Sequence, residues 1–190
     1  KNGDTLNPRS FQLSPDGKLA LIYTNAQKVW RYTTRGDYWL LNLTTGDLKQ
    51  MGKGKSATSL QFAKFSPDNK KVAYVSERNI YSEDLATGTI KKLTSDNGTK
   101  KLINGTFDWV YEEEFAFVKA YDWNVTGTKI AYIKFDETEV PEFSMDMYNE
   151  GLYPTQTVFK YPKAGEKNAI VSLHIFDLKS GTTKKINLGD

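Results

Sequence analysis

The chain of 190 residues contains no cysteine and a single histidine, His174. The first absence excludes disulfides, thiolate metal sites and a cysteine nucleophile. The second leaves one imidazole for any serine-type triad. It sits in the alternating stretch VSLHIFDL, where a histidine beside aliphatic residues reads as a packed or half-exposed strand residue. No G-x-S-x-G elbow is present. The string GKGKS at 52–56 has Lys49 where a phosphate loop needs glycine, and it lacks a strand-then-helix setting. Metal ligands would have to be carboxylates, and FDETEVPE lacks the spacing of a calcium loop. No metal and no cofactor is therefore expected. No apolar run approaches the roughly 20 residues that cross a bilayer. The net charge is only +3, with acids dispersed among the lysines and no basic stripe, so nucleic acid is not an expected partner. The densest basic run, KKLTSDNGTKK, is interrupted by Asp96 and reads as a solvated turn. The opening KNGDTLNPRSF has neither a methionine nor a signal-peptide pattern, and is expected to lie inside a longer protein.

What is present is an internal repeat of turns. SPDGKLALIYT (14–24), SPDNKKVAYVS (66–76) and VTGTKIAYIKF (125–135) each place a polar turn and a lysine before a strand rich in aliphatic and aromatic residues. Proline presets φ at the second turn position, and Asp-Gly or Asp-Asn tolerates the left-handed region, which signals a hairpin. NLTTGDLKQM (42–51), DLATGTIKKL (84–93) and DLKSGTTKKI (177–186) form a second series, in which a glycine turn leads into a lysine-bearing strand suited to a sheet edge. Alternation of the two series predicts four-stranded antiparallel meanders, with blades over about 9–51, 60–94 and 116–187. Gly46 and Gly88 lie 42 residues apart, the length of a propeller-blade repeat. Gly88 and Gly181 lie 93 apart, and the excess falls in NGTKKLINGTFDWVYEEEF and in DETEVPEFSMDMYNEGLYPTQTVFKYPKAGEKN. The expected fold is all-β, an incomplete propeller domain over 1–190. Three blades do not close a ring, since propellers have about four to eight.

FDWVYEEEFAF sets three glutamates inside an aromatic cluster. In a strand, Glu112 and Glu114 would share a face. In a helical turn, Glu113 and Glu114 would lie about 100° apart and could flank one small ligand. Close carboxylates repel, and one takes up a proton unless a cation lies beside them. A solvated acidic helix end is the bland alternative. Against it, Trp109, Tyr111, Phe115 and Phe117 would hold the segment on the body of the protein and lower the local dielectric. Asn42, Asn97, Asn104 and Asn124 each begin an N-x-Thr sequon.

DWVYEEEF resembles the Asp-Trp-Val-Tyr-Glu-Glu-Glu motif of the dipeptidyl peptidase IV family of serine exopeptidases. VWR (29–31), AYIKFDETEVPEF, YPKAGEKN and the SPDGK and SPDNK turns resemble further segments of that family, in the same order along essentially the whole chain. The resemblance implies about the first three blades of an eight-bladed propeller, with the catalytic α/β-hydrolase domain outside this chain and no triad residue within it. It implies that Glu113 and Glu114 bind the α-ammonium of a peptide substrate, and that Arg31 orients the substrate. Trp109 and Tyr111 become packing residues that position the turn, and Glu112 the less functional first glutamate. Pro141 to Gly165 resembles the arm that pairs subunits in the family's homodimers. A periplasmic, secreted or cell-surface location, and release of N-terminal X-Pro or X-Ala dipeptides, complete the expectation. Tyr32 follows the Trp-Arg pair where animal members carry histidine, which bears on fine substrate preference. A related prolyl tripeptidyl peptidase or oligopeptidase, or a propeller with no hydrolase attached, are the other readings.

Overall fold

A computed structural model of the protein describes residues 5–97, 99, 101–148 and 151–189. Strands β1 (Pro8–Leu13), β2 (Leu19–Lys28), β3 (Thr33–Asn42) and β4 (Leu48–Gln50) form the first antiparallel meander. Strands β5 (Leu60–Phe65), β6 (Lys71–Ser76), β7 (Asn79–Asp84) and β8 (Ile90–Lys92) form the second. After β9 (Leu102–Asn104) and a single helix, α1 (Trp109–Phe115), come β10 (Tyr121–Trp123) and β11 (Lys129–Asp136). A two-stranded ribbon follows, β12 (Glu142–Met147) and β13 (Thr155–Lys160), and then β14 (Ile170–Asp177) and β15 (Thr182–Lys185) complete the third meander, β10-β11-β14-β15. The fold is an incomplete all-β propeller, with α1 the one helix among the described residues.

Both turn series occupy hairpins. Ser14 and Ser66 each bond the aspartate two residues on, at 2.7 and 2.6 Å, and Gly17 and Asn69 take the left-handed φ that closes these turns. Asn42, Asp84 and Asp177 accept amides of the second series with their side chains. Asp84 gains most from this, its pKa falling to about 2 through the amide of Thr87 and then Lys71.

The second meander is covered on both faces. Along β6, Val72 and Tyr74 point into a core shared with Leu21, Tyr38 and Leu40 of the first sheet. Ala73 and Val75 point the other way, into a core shared with Ile130, Tyr132 and Phe176 of the third. Side chains alternate across a strand, so KVAYVS must be apolar at nearly every position when both faces are buried. Cross-sheet polar ties add register. The buried carboxylate of Glu83 accepts the amide of Gly52 at 2.9 Å and meets Lys49 at 3.4 Å. Lys64 pairs with Asp122 at 2.6 Å, and the Tyr121 hydroxyl lies 2.9 Å from the carbonyl of Ala73.

One pairing had no signal in the turn pattern. The end of β3 pairs with β5 through Arg35–Gln61 and Gly36–Leu60, joining the first two meanders into one sheet. At Gly36 a side chain would meet a ring carbon of Tyr23 and, at 2.5 Å, the carbonyl oxygen of Thr24, so glycine permits the close fit of β3 on β2 at this point. The sequon at Asn104 is corrected by burial: its amide nitrogen donates to the carbonyl of Arg78 at 3.2 Å, and the residue is 1% exposed. The sequon at Asn97 includes Gly98, which lies outside the described residues.

Candidate functional site

Helix α1 is short and its ends are fixed by polar and left-handed caps. Asp108 is the N-cap, in extended conformation, and its carboxylate accepts the amide of Tyr111 at 3.0 Å. Burial pushes the Asp108 pKa up, against the bonds from these amides. Ala116 takes a left-handed φ of 57° and returns its amide to the carbonyl of Tyr111. Tyr111 packs edge-on to Phe135 at 5.0 Å, and Trp109 lies 4.5 Å from the ring of Tyr161. The helical alternative therefore holds, and Glu112, Glu113 and Glu114 point in three directions.

Their surroundings differ accordingly. Glu112 is buried, Glu113 is half-buried and Glu114 is exposed. The loop between β2 and β3, residues 29–32, comes to meet them, closed by the Val29 amide on the carbonyl of Tyr32 at 2.9 Å. Arg31 gives Nε to Oε2 of Glu113 at 2.7 Å, and its Nη2 lies 2.5 Å from the same oxygen. That bond, then the charge of Glu113, raises the Arg31 pKa further above its ordinary value, and Glu114 adds to the effect. Glu114 has no hydrogen bond or ion pair among the described residues. The cation that the acidic run requires is thus supplied by the first meander for Glu113, while Glu114 is left open.

Glu112 faces the protein rather than solvent. Its Oε1 accepts the amides of Arg31 at 3.1 Å and of Tyr32 at 3.2 Å, the first across 81 positions of sequence. Burial pushes its pKa up most, the amides of Tyr32 and Arg31 oppose this, and the charge of Glu113 reinforces it.

The aromatic cluster is split. Trp109 and Tyr111 are partly buried, whereas Phe115 and Phe117 are 57% and 52% exposed, contrary to the expectation that all four pin the segment down. Ala116 ends the helix between those two phenylalanines and turns them outward onto each other, 6.1 Å apart. The ribbon supplies the missing packing: Phe159 of β13 lies 5.0 Å from Trp30, and Phe143 of β12 lies 5.4 Å from Tyr161. No periodicity could have revealed these contacts, because they join distant segments through single rings. A cavity of about 310 Å³ is lined by Trp30, Arg78, Asp108, Glu112, Glu137 and Phe159 among others. Arg31, Glu113 and Glu114 lie outside that lining, so the charged trio faces elsewhere. The buried Glu137, its pKa raised by burial, pairs with Arg78 at 2.7 Å. Arg78 and Glu77 both have positive φ in the tight β6–β7 turn.

His174 lies on β14, stacked on Tyr132 at 5.4 Å and 2.9 Å from the Ser172 hydroxyl; burial lowers its pKa. Among the described residues no group of His, Asp and Glu side chains is arranged to hold a metal ion, and no helix is long and apolar enough to cross a membrane.

Fold and site together define a propeller segment that presents carboxylates on a short helix before the third meander and an arginine on the β2–β3 loop of the first. The family profile described as the dipeptidyl peptidase IV (DPP IV) N-terminal region matches residues 14–190, and the chain belongs to this family. It is 37% identical over 187 residues to dipeptidyl aminopeptidase B of Saccharomyces cerevisiae, covering 96% of this chain and 22% of the relative. The crystal structure of Porphyromonas gingivalis dipeptidyl peptidase 4 is similar, with a TM-score of 0.88 and 32% identity, over 96% of this chain and 26% of that one. The chain thus spans about a fifth of the length of the curated relatives it matches.

Proposed function

We propose that this chain is the part of a dipeptidyl peptidase IV-type serine peptidase that receives the free N-terminus of the substrate. The observation that carries the reading is the charge count of the trio. Arg31, Glu113 and Glu114, all ionised, sum to one negative charge, and Glu113 keeps Oε1 free because both contacts from Arg31 go to Oε2. A peptide α-amino group has a pKa of roughly 7.7–8.0, so it arrives largely as a monocation. It can donate to Glu114 and to the free oxygen of Glu113, each charge-assisted bond contributing on the order of 1.5–3 kcal/mol. An interior peptide bond carries no ammonium and leaves Glu114 uncompensated, so exopeptidase selectivity arises by rejection as well as attraction. Anchoring the first residue fixes which peptide bond reaches the distant nucleophile, two residues in. The glutamates position and do not break bonds.

On this reading the ribbon within Pro141–Gly165 serves as the dimer arm. Tyr148, Tyr153 and Val158 are 73%, 85% and 58% exposed, an apolar surface of the kind that marks an interaction site. Residues 149 and 150 of the arm lie outside the described residues. A periplasmic, secreted or cell-surface setting goes with the same proposal. The test is Glu113→Gln combined with Glu114→Gln in the full-length peptidase. A fall in kcat/KM of about two orders of magnitude or more on a dipeptidyl substrate is expected from losing two charge-assisted bonds. Near-normal kinetics would sink the reading.

A further inference from the structure

The loop that carries Arg31 joins its own sheet through an irregular ladder. The β2–β3 register shifts between Thr24 and Gln27 and again between Gln27 and Lys28 before the last pair, Lys28–Thr33, which flanks the loop. The Arg31 side chain is 61% exposed, and its hydrogen bonds among the described residues go to Glu113. A long, exposed arginine on such a loop samples many rotamers, and an exposed ion pair by itself fixes little.

Glu112 supplies what the ladder lacks. Two consecutive amides, those of Arg31 and Tyr32, converge on its one oxygen. The residue is 5% exposed and sits on the helix that also presents Glu113 and Glu114. Helix and loop are thereby joined at the residues adjacent to the charged trio. No cationic side chain neutralises Glu112 among the described residues. Taking a carboxylate out of water is costly, and a group kept there at such a cost specifies geometry more readily than it adds stability.

We propose that Glu112 is a positioning residue of the amine site, holding the backbone of the Arg31 loop at the distance from which the guanidinium covers Oε2 of Glu113 and leaves the remaining carboxylate oxygens open to an ammonium. The proposal rests on the ammonium reading above and assigns Glu112 no contact with substrate. Without the clasp, the Arg31 loop drifts and the guanidinium no longer partitions the glutamate oxygens. Binding of the amine then suffers, while the chemistry at the distant nucleophile does not.

The experiment is a set of variants in the full-length peptidase, assayed on a free-amine dipeptidyl substrate. Glu112→Asp keeps the charge but withdraws it by one methylene, and should raise KM about tenfold with kcat nearly unchanged. Glu112→Gln keeps an acceptor oxygen and should stay within about threefold of wild type. Glu112→Ala should match the aspartate variant or exceed it; if it fails to fold, the aspartate and glutamine pair decides alone. In an Arg31→Ala background the same Glu112 changes should add little, because Glu112 acts through that loop. Wild-type KM in the aspartate variant, or losses that multiply in full with those of Arg31→Ala, would overturn the proposal. Failure of the ammonium reading is separately visible, because then the combined glutamine changes at Glu113 and Glu114 leave kcat/KM intact.

Discussion

The second meander and the segment from Phe107 to Phe117 solve opposite problems. In the meander, Val72, Ala73, Tyr74 and Val75 are fully buried, and alternate faces meet different neighbours. In the segment, one carboxylate is buried, one is half-buried and paired, and one is open, on a helix of seven residues ended by a strained alanine. Stability resides in the first region. The second has an aspartate cap of its own, Asp108, and is otherwise held by borrowed contacts: a ring from Phe135 and the ring of Tyr161 beside the ribbon. The lesson is that a charged feature on a propeller can be built from a segment too short to be stable alone, provided several parts of the fold each lend one contact.

This contrast can be broken from either side. The largest effect is expected in the meander. Tyr74→Ala removes a fully buried ring stacked on Tyr81 at 6.0 Å, and should cost about 3–5 kcal/mol in denaturant unfolding. The glutamine changes at Glu113 and Glu114 should shift the same transition by no more than about 0.5 kcal/mol. If the two sets of variants move unfolding equally, stability and recognition are not separated as described.

An intermediate effect is expected on the ribbon. Leu152 and Tyr153 are 96% and 85% exposed, so replacing both with serine should leave the unfolding transition in place. On the proposed reading of the ribbon as a dimer arm, the same pair should convert dimers of the full-length protein to monomers in light scattering. A dimer unchanged by the two serines would remove the arm from the assembly.

The smallest effect concerns the helix cap. Asparagine caps a helix about as well as aspartate and carries no charge to bury. Burial raises the folded pKa of Asp108 above its ordinary value, so the ionised group opposes folding at neutral pH, and this opposition is relieved as pH falls through the folded pKa. Asp108→Asn should therefore be neutral or stabilising by up to about 1 kcal/mol at pH 7. The advantage should shrink as thermal melts are taken to lower pH. A variant that is clearly destabilised at pH 7 and recovers in acid would reverse the sign.

Much of the fold was legible because it is local. The turn residues of SPDG, SPDN and the Gly46, Gly88 and Gly181 series act within five positions, and each closes the hairpin that its chemistry demands. The helical reading of DWVYEEEF was one of two, and the Asp108 cap, three residues before Tyr111, was the signal that could have decided it. What the sequence hid is long-range. Arg31 meets Glu113 across 82 positions and the ribbon meets Trp30 and Trp109 through Phe159 and Tyr161; no spacing rule reaches so far. The open side of Phe115 and Phe117 escaped notice because hydrophobicity does not say which face a short helix turns to its support.

On the proposed reading, the open glutamate and the half-paired one await a monocation at the substrate's N-terminus. The sharpest test is the kcat/KM of the full-length protein on one dipeptidyl substrate with a free amine and on its N-acetylated form, in the wild type and with both glutamates changed to glutamine. The wild type should turn over the free amine and leave the acetylated peptide essentially uncleaved, and the variant should be poor on both. Efficient cleavage of the acetylated peptide by the wild type would contradict it.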